Sequence, residues 1–128
     1  MPDERYLLCR VERYALAIGL DAVRHIAGTE TATRDAAPSP IDLRPLLGVP
    51  AAGAGIAIAM RIGETDVSLI VEAVAGIETI AEGAFAPLPP VFERARFLFD
   101  GACRRPVGGD YPLRLRLQPL VAPAFAPL

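Results

Sequence analysis

A short pattern that occurs twice constrains the fold of this chain more than any other feature of its sequence. Residues 17–26 and 68–77 each hold an apolar run, an acidic residue, Ala-Val, two variable residues and an Ile. The acidic residues are Asp21 and Glu72. Each copy follows an earlier apolar stretch across a short polar gap, as the second strand of a hairpin follows the first. The repeat therefore predicts two similar β subdomains, each built on a hairpin.

Composition and charge exclude several classes of protein. Apolar residues make up 52% of the 128 residues, which is enough for the core of one domain or of two very small fused ones. The net charge is −2 and the arginines are scattered among acidic residues, which argues against a nucleic-acid partner. The uncharged run 45–60 is too short and too interrupted by Gly and Pro for direct membrane insertion. A charged start without a targeting pattern, and Cys9 and Cys103 without metal spacing, predict a cytoplasmic protein with free thiols.

Alternating apolar residues predict the strands of the two hairpins. These strands are residues 6–11 with 14–20 and residues 56–62 with 66–71. After the first hairpin, Asp21 is expected to cap a single helical turn that carries Val23 and Ile26, because these two apolar residues have helical spacing.

The remaining segments predict short elements separated by turns. Residues 29–39 are polar and predict a flexible loop, whereas residues 41–48 have the spacing of a short helix that ends at a Gly. Residues 77–80 and 113–117 are predicted strands, and the many Gly and Pro turns favour small β-barrels. The uncharged tail 119–128 either folds back onto an apolar groove, docks on another chain or is disordered.

The order of these motifs resembles the CheW-like domain of bacterial chemotaxis proteins. The matching segments are Tyr14–Ile18 with Val23-x-x-Ile26, Ile41–Gly48, Val67–Val74 with Leu88-Pro89, and Asp100-Gly101 with residues 113–120. The resemblance implies a mainly β fold in which two small SH3-like β-barrel subdomains pack side by side. It implies a single domain over residues 1–128, with subdomain 1 at about 5–48 plus a C-terminal strand and subdomain 2 at about 55–100.

Members of this family are non-enzymatic adaptors that join a CheA-type histidine kinase to the cytoplasmic tip of chemoreceptors. The resemblance implies the same partners here, with no cofactor and no metal. The implied partner-interface residues are Val23, His25 and Ile26 in one group and Ile56, Ile58 and Val67 in the other. The first group corresponds to the segment that faces the receptor in the family, and the second lies in the barrel that contacts the kinase.

The resemblance is interrupted between Ile26 and Asp42. Family members carry a Gly-x-x-Asn-x-Arg-Gly strand in this region, and its Arg contacts receptors. Residues 27–41 contain no Arg-Gly pair, so the first barrel is predicted to lack a strand and to expose a sheet edge. This leaves a second hypothesis open, in which a stand-alone CheW-like module forms a homodimer or regulates another signalling system without binding chemoreceptors.

An enzymatic function is the hypothesis that the sequence supports least. His25 is the only histidine, and a catalytic base needs a nucleophile or carboxylate held close to it. The only serines are Ser39 and Ser68, and Ser68 lies inside a predicted strand. No Gly-rich phosphate loop precedes a predicted helix.

The acidic residues of the motifs are expected to have structural roles. Asp42 and Arg44 are predicted to form a local salt bridge, or to act as charges at a helix end, rather than to form a recognition pair. Asp21 and Glu72 are predicted to be a repeated cap or turn rather than metal ligands, because no other acid is spaced to complete a metal site.

Overall fold

Two β-sheets make up most of the fold, and the mainly β class predicted from the sequence is confirmed. The computed structural model describes residues 3–28, 40–50, 53–88 and 97–121. The strands in these ranges are β1 (Asp3–Val11), β2 (Tyr14–Gly19), β3 (Val23–Gly28), β4 (Ile41–Asp42), β5 (Ile56–Ile62), β6 (Thr65–Val71), β7 (Ala73–Ala81), β8 (Phe85–Ala86), β9 (Phe99–Cys103) and β10 (Leu113–Leu115). The short helices are α1 (Leu43–Leu46) and α2 (Gln118–Val121), and 3-10 turns lie at Leu20–Ala22 and Glu82–Ala84. The predicted loop 29–39 and the tail from residue 122 onward lie outside the described residues.

The two sheets take their strands out of chain order. The order is β7-β1-β2-β10-β9-β8 in the six-stranded sheet and β3-β5-β6-β4 in the four-stranded sheet. Each sheet is built on one of the predicted hairpins, β1–β2 or β5–β6, and both hairpins are antiparallel. Each hairpin then sends the next strand of the chain to the other sheet, because β3 pairs with β5 and β7 pairs with β1. Strand pairing therefore connects the two predicted subdomains, which span about residues 5–48 and 55–100, and is not confined to either of them.

The correspondence between the two sheets extends beyond the hairpins. β4 pairs in parallel with β6, and β10 pairs in parallel with β2. Each hairpin is therefore flanked by a strand from the other half on one side and by a parallel strand on the other. A short helix follows each parallel strand, α1 after β4 and α2 after β10. The repeat in the sequence therefore corresponds to the same arrangement of strands in each of the two sheets.

The predicted helical turn over Val23 and Ile26 is wrong, because both residues lie in a bulged strand. The chain makes a 3-10 turn at Leu20–Ala22 and then begins β3. Val23 and His25 oppose neighbouring residues of β5, so Arg24 is the extra residue of a β-bulge. A bulge places residues that are three apart on the same face of a strand. Helical spacing has the same effect, so the sequence pattern alone does not distinguish the two structures.

The second copy of the repeat carries the same bulge. Val74 and Gly76 of β7 oppose the neighbouring residues Cys9 and Leu8 of β1, and Ala75 is the extra residue. Both bulges therefore occupy the same position in the repeat, and both lie in a strand at the edge of its sheet. Each bulge interrupts the regular edge locally, at Arg24 in β3 and at Ala75 in β7, and leaves the rest of the edge regular.

The two acidic residues of the repeat differ in their contacts. A carboxylate oxygen of Glu72 accepts a hydrogen bond of 2.5 Å from the backbone N–H of Glu12, a residue with φ of 52° in the turn between β1 and β2. Glu72 therefore caps the turn of the first hairpin rather than a turn of its own, so the repeated cap predicted at Asp21 and Glu72 is not observed. Asp21 makes no side-chain cap in its 3-10 turn, and instead its backbone carbonyl accepts a hydrogen bond of 2.9 Å from Arg24.

The six-stranded sheet curls until its two outer strands approach each other. These strands, β7 and β8, are joined only by the turn Glu82–Ala84. Arg104 holds this turn, because its backbone N–H donates to Ala84 O at 2.7 Å and its guanidinium donates to Gly83 O at 2.7 Å. The two-sheet arrangement agrees with the predicted pair of SH3-like subdomains, but within the described ranges neither sheet closes into a barrel.

Arg114 on β10 links several elements of the curled sheet. Its Nε donates to Asp100 at 2.6 Å, one terminal nitrogen donates to Glu82 at 2.7 Å, and the guanidinium carbon lies 4.4 Å from the centre of the Phe85 ring. Burial opposes its charge, but the hydrogen bonds to neighbours such as Asp100 raise the pKa of Arg114 overall. The Phe85 ring in turn meets Tyr6 edge to face, with centroids 5.5 Å apart. Arg114 thereby connects β8, β9 and the 3-10 turn to β10.

Two clusters of buried side chains form the core. The larger cluster joins both sheets and contains Leu16 and Ile18 of β2 together with Ile58 and Leu69 of the second hairpin. The smaller cluster lies within the curl of the six-stranded sheet, and its members are Tyr6, Leu8, Ala17, Ile80, Ala84 and Cys103. Cys9 belongs to the larger cluster, and both cysteines are free. Burial raises the pKa of the Cys9 thiol to about 12.

Replacing Arg114 should destabilise the curled sheet. We expect Arg114→Met to lower the free energy of unfolding by about 1–3 kcal/mol, because Asp100 and Glu82 lose a shared partner. Arg116→Met is the matched control on the same segment, and we expect it to change the free energy by less than about 0.5 kcal/mol. Urea unfolding followed by circular dichroism measures both. Equal effects of the two substitutions would contradict the role assigned to Arg114.

Candidate functional site

The residues predicted to contact partners form one group in the structure rather than two. Three of them lie on β3, two on β5 and one on β6. They are Val23, His25 and Ile26, then Ile56 and Ile58, and finally Val67. Because β3 pairs directly with β5, the two predicted groups lie next to each other in the four-stranded sheet.

The pairing register decides which of these side chains share a face. Ile26 is opposite Ile58, and Ile56 lies two residues from Ile58, so all three point to the same face. The bulge brings Val23 to that face as well. His25 points to the other face of the sheet, since it is next to Ile26 in a strand.

Burial separates the accessible members of this group from the core. Ile26 is 40% exposed and His25 is also exposed, whereas Val23 and Ile56 are half-buried against the larger core cluster. Ile26, Val23 and Ile56 together form an apolar surface at the β3 side of the four-stranded sheet, which we call the edge patch. Arg24, the exposed extra residue of the bulge, lies beside the patch and gives its apolar centre a polar margin, whereas the exposed His25 lies on the other face of the same edge strand.

Ile58 and Val67 are core residues, and this corrects the prediction that they contact a partner. The exposed fraction is 0% for Ile58 and 6% for Val67. Both lie on the inner strands β5 and β6, where they pack into the cluster that joins the two sheets. A partner that binds the folded chain does not reach these side chains.

The repeat places a second exposed isoleucine at the equivalent position of the six-stranded sheet. Ile77 on β7 is 54% exposed and corresponds to Ile26, since each follows the bulge of its edge strand. Ile77 is opposite Leu7, which is buried, just as Ile26 is opposite the buried Ile58. The sequence repeat includes Ile77 but does not mark it as a surface residue, because apolar residues of a repeat are usually core.

Asp42 and Arg44 form the predicted local salt bridge. One terminal nitrogen of Arg44 lies 2.8 Å from Asp42 Oδ2, and its Nε lies 3.0 Å from Asp42 Oδ1. The same carboxylate caps α1 by accepting from the Arg44 backbone N–H at 3.0 Å. A further nitrogen of Arg44 donates to Gly53 O at 3.3 Å, and the residue is only 4% exposed. The pair therefore holds α1 against the segment that precedes β5.

The ion pair also sets the ionisation of Asp42. Burial alone raises the pKa of this carboxyl, but the hydrogen bonds from Arg44 outweigh burial and hold the pKa of Asp42 below its usual range. The charged form of Asp42 is thus favoured in the folded state, and its contribution to stability depends on pH.

Grouped metal ligands and membrane-spanning helices are both absent from the residues that the structure describes. No three His, Cys, Asp or Glu side chains among them are grouped so as to hold a metal ion. None of the helices in the described ranges has the length and apolar character needed to cross a membrane.

Comparison with known proteins supports the fold predicted by resemblance. No protein-family model matches the chain, and no curated protein matches its sequence. Among solved structures, the chain is similar to the scaffolding protein TtCheW from Thermoanaerobacter tengcongensis, with a TM-score of 0.72. The two sequences are 18% identical, and the match covers 91% of this chain and 90% of that one. The predicted CheW-like fold is therefore confirmed.

The Asp42–Arg44 pair should stabilise the chain only while the carboxylate is charged. We expect Asp42→Asn, which preserves the cap of α1, to lower the free energy of unfolding at pH 7 by about 1–3 kcal/mol. Because the folded-state pKa of Asp42 is lowered, the pair stabilises above the unfolded-state pKa of about 3.9. Its contribution is lost as the pH falls through the folded-state value.

Unfolding by urea between pH 7 and pH 2 measures this difference. The gap in stability between the wild type and Asp42→Asn should stay constant above about pH 5 and shrink below about pH 4. Asp42→Ala should cost about 1 kcal/mol more than Asp42→Asn because it also removes the cap. A gap that persists unchanged to low pH would show that the ion pair is not its cause.

Proposed function

We propose that this chain is a non-enzymatic adaptor in chemotaxis-type signal transduction. It couples a CheA-type histidine kinase to receptors through protein–protein contacts. The observation that carries the proposal is the CheW-like fold, which the chain shares over 91% of its length with a protein described as a scaffolding protein. The edge patch adds support, since an apolar centre with a polar margin is the composition of a protein-binding surface.

In this proposal the edge patch is the principal partner contact. Ile26 supplies its most exposed apolar side chain, and Val23 and Ile56 widen it. Val23, His25 and Ile26 belong to the receptor contact, and Ile56 belongs to the kinase contact. Because β3 and β5 are adjacent strands, the receptor and the kinase bind next to each other on the four-stranded sheet.

The alternative is a stand-alone module that associates with itself. β3 and β4 are the outer strands of the four-stranded sheet, and in the described ranges neither has a second neighbour. In the six-stranded sheet, by contrast, the strand equivalent to β4 is β10, which β9 covers. An uncovered sheet edge of this kind is a known route to pairing between copies.

Size-exclusion chromatography with light scattering distinguishes the two functions. A monomer that captures the purified regulatory domain of a CheA-type kinase supports the adaptor. A tight dimer that captures neither this domain nor a receptor tip supports self-association and contradicts the adaptor.

A charge placed in the edge patch should weaken partner binding. We expect Ile26→Glu to weaken the binding of the kinase regulatory domain or the receptor tip by about tenfold or more, because the carboxylate must be desolvated at an apolar contact. Titration calorimetry with each purified partner measures the affinities.

Ile77→Glu is the matched control, since Ile77 has the same place in the repeat, a similar exposure and a bulged edge strand of its own. We expect it to change the affinity by less than about twofold, and both variants to keep the wild-type stability within about 0.5 kcal/mol. Equal weakening by both variants, or by neither, would contradict the assignment of the contact to the edge patch.

A further inference from the structure

The curled six-stranded sheet leaves an open seam along the outer side of β7. Arg104 closes one end of the curl through its bonds to Gly83 and Ala84. Beyond Arg104, residues 105–108 lie across from the edge of β7, and no backbone hydrogen bond between these two segments occurs in the described part of the chain. A cavity of about 280 Å³ remains between them.

The side chains that line the seam divide into a floor and a rim. The consecutive residues Glu78, Thr79 and Ile80 form one wall, so the seam follows the edge of the strand rather than one face of it. Ile80, which is 3% exposed, and Val107, which is half-buried, belong to the small core cluster beneath the seam, so the floor exposes little apolar surface. Glu78 is exposed and provides a charge at the rim.

The position of the seam along the edge of a strand favours an extended chain over a compact ligand. β7 is an edge strand, so alternate backbone N–H and C=O groups point away from β1 towards the seam. Such a row of backbone groups is a template for one more strand.

Arg105 indicates the charge of the segment that fits. It is exposed at the rim of the seam, on the side opposite β7. Arg104, by contrast, already donates to a backbone carbonyl. Within the residues described, no acidic side chain forms a salt bridge with Arg105, so its guanidinium can bind a carboxylate from outside the chain.

We propose that an extended segment of a partner protein adds to the edge of β7 at Glu78–Ile80 and fills this seam. The segment pairs its backbone with the open edge of β7 and places an acidic side chain against Arg105. It is recognised by the same mode in which many domains bind peptides, namely strand addition to an exposed sheet edge. The added strand lies between β7 and residues 105–108, where the six-stranded sheet is open.

This inference deepens the proposed adaptor function and rests on it only in one respect, that the chain acts by binding proteins. The seam and the edge patch belong to different sheets. Failure of the kinase to bind would overturn the adaptor proposal without affecting the seam, and the peptide experiment below tests the seam alone.

The probe is a phage-displayed library of random decapeptides selected on the full chain. We expect the selected peptides to alternate β-branched residues with an acidic residue. Hydrogen exchange of the complex of the chain with the best synthetic peptide should show new protection at the backbone amides of Glu78–Ile80 and not at those of β3.

A charge exchange then tests the contact with Arg105. Arg105→Glu should weaken the binding of the acidic peptide by about fivefold or more, because attraction becomes repulsion. A peptide with Lys in place of its acidic residue should bind Arg105→Glu better than the acidic peptide does. Arg61→Glu is the control, since Arg61 is an exposed arginine on β5 of the other sheet and its replacement should leave the affinity unchanged.

Results of three kinds would overturn the proposal. The first is a library that yields no peptide above background. The second is protection that maps to strands other than β7, or an affinity that is indifferent to Arg105→Glu. The third is protection of Glu78–Ile80 in the free chain that rises with its concentration together with dimer formation, because a second copy would then occupy the seam.

Discussion

The fold depends on the exchange of one strand between its two hairpins. β3 leaves the first hairpin to pair with β5, and β7 leaves the second to pair with β1. A two-stranded hairpin alone is at best marginally stable in water, because it lacks enough buried apolar area. The exchange extends each hairpin by a strand while covalently joining it to the other, and the larger core cluster draws its side chains from both sheets. Neither half is therefore a complete folding unit by itself.

The same exchange accounts for the surfaces to which we assign binding. A strand that crosses to the other sheet becomes an outer strand of that sheet. The row of apolar side chains that begins in the core therefore reaches solvent on this outer strand. This is why Ile26 and Ile77, which pair with the buried residues Ile58 and Leu7, are both exposed. The curl of the six-stranded sheet adds the seam, since β7 has a partner on only one side. Exposed isoleucines in this structure thus lie on the exchanged strands, and we propose that only the one at Ile26 belongs to a partner contact.

The sequence predicted the elements whose signals are local. Alternating apolar residues predicted both hairpins, and helical spacing that ends at Gly48 predicted α1. The repeat indicated two related halves. The prediction of a helical turn after the first hairpin was wrong, because a bulged strand and a helix both place Val23 and Ile26 on the same face. Ile58 was assigned to a partner contact by resemblance to the family, and the alternation of the strand could not correct this because it does not tell which face of a strand is covered. The role of Arg114 was missed for a similar reason, because its partners come from distant parts of the chain.

Native-state hydrogen exchange tests the strand exchange most directly. If the two sheets form one cooperative unit, the hydrogen-bonded amides of β3 and β7 should reach the same limiting free energy of opening as those of the strands they join, β5 and β1. This common value should equal the free energy of global unfolding measured with denaturant. Two separate limiting values, one for each sheet, would show that the halves unfold independently and would contradict the account.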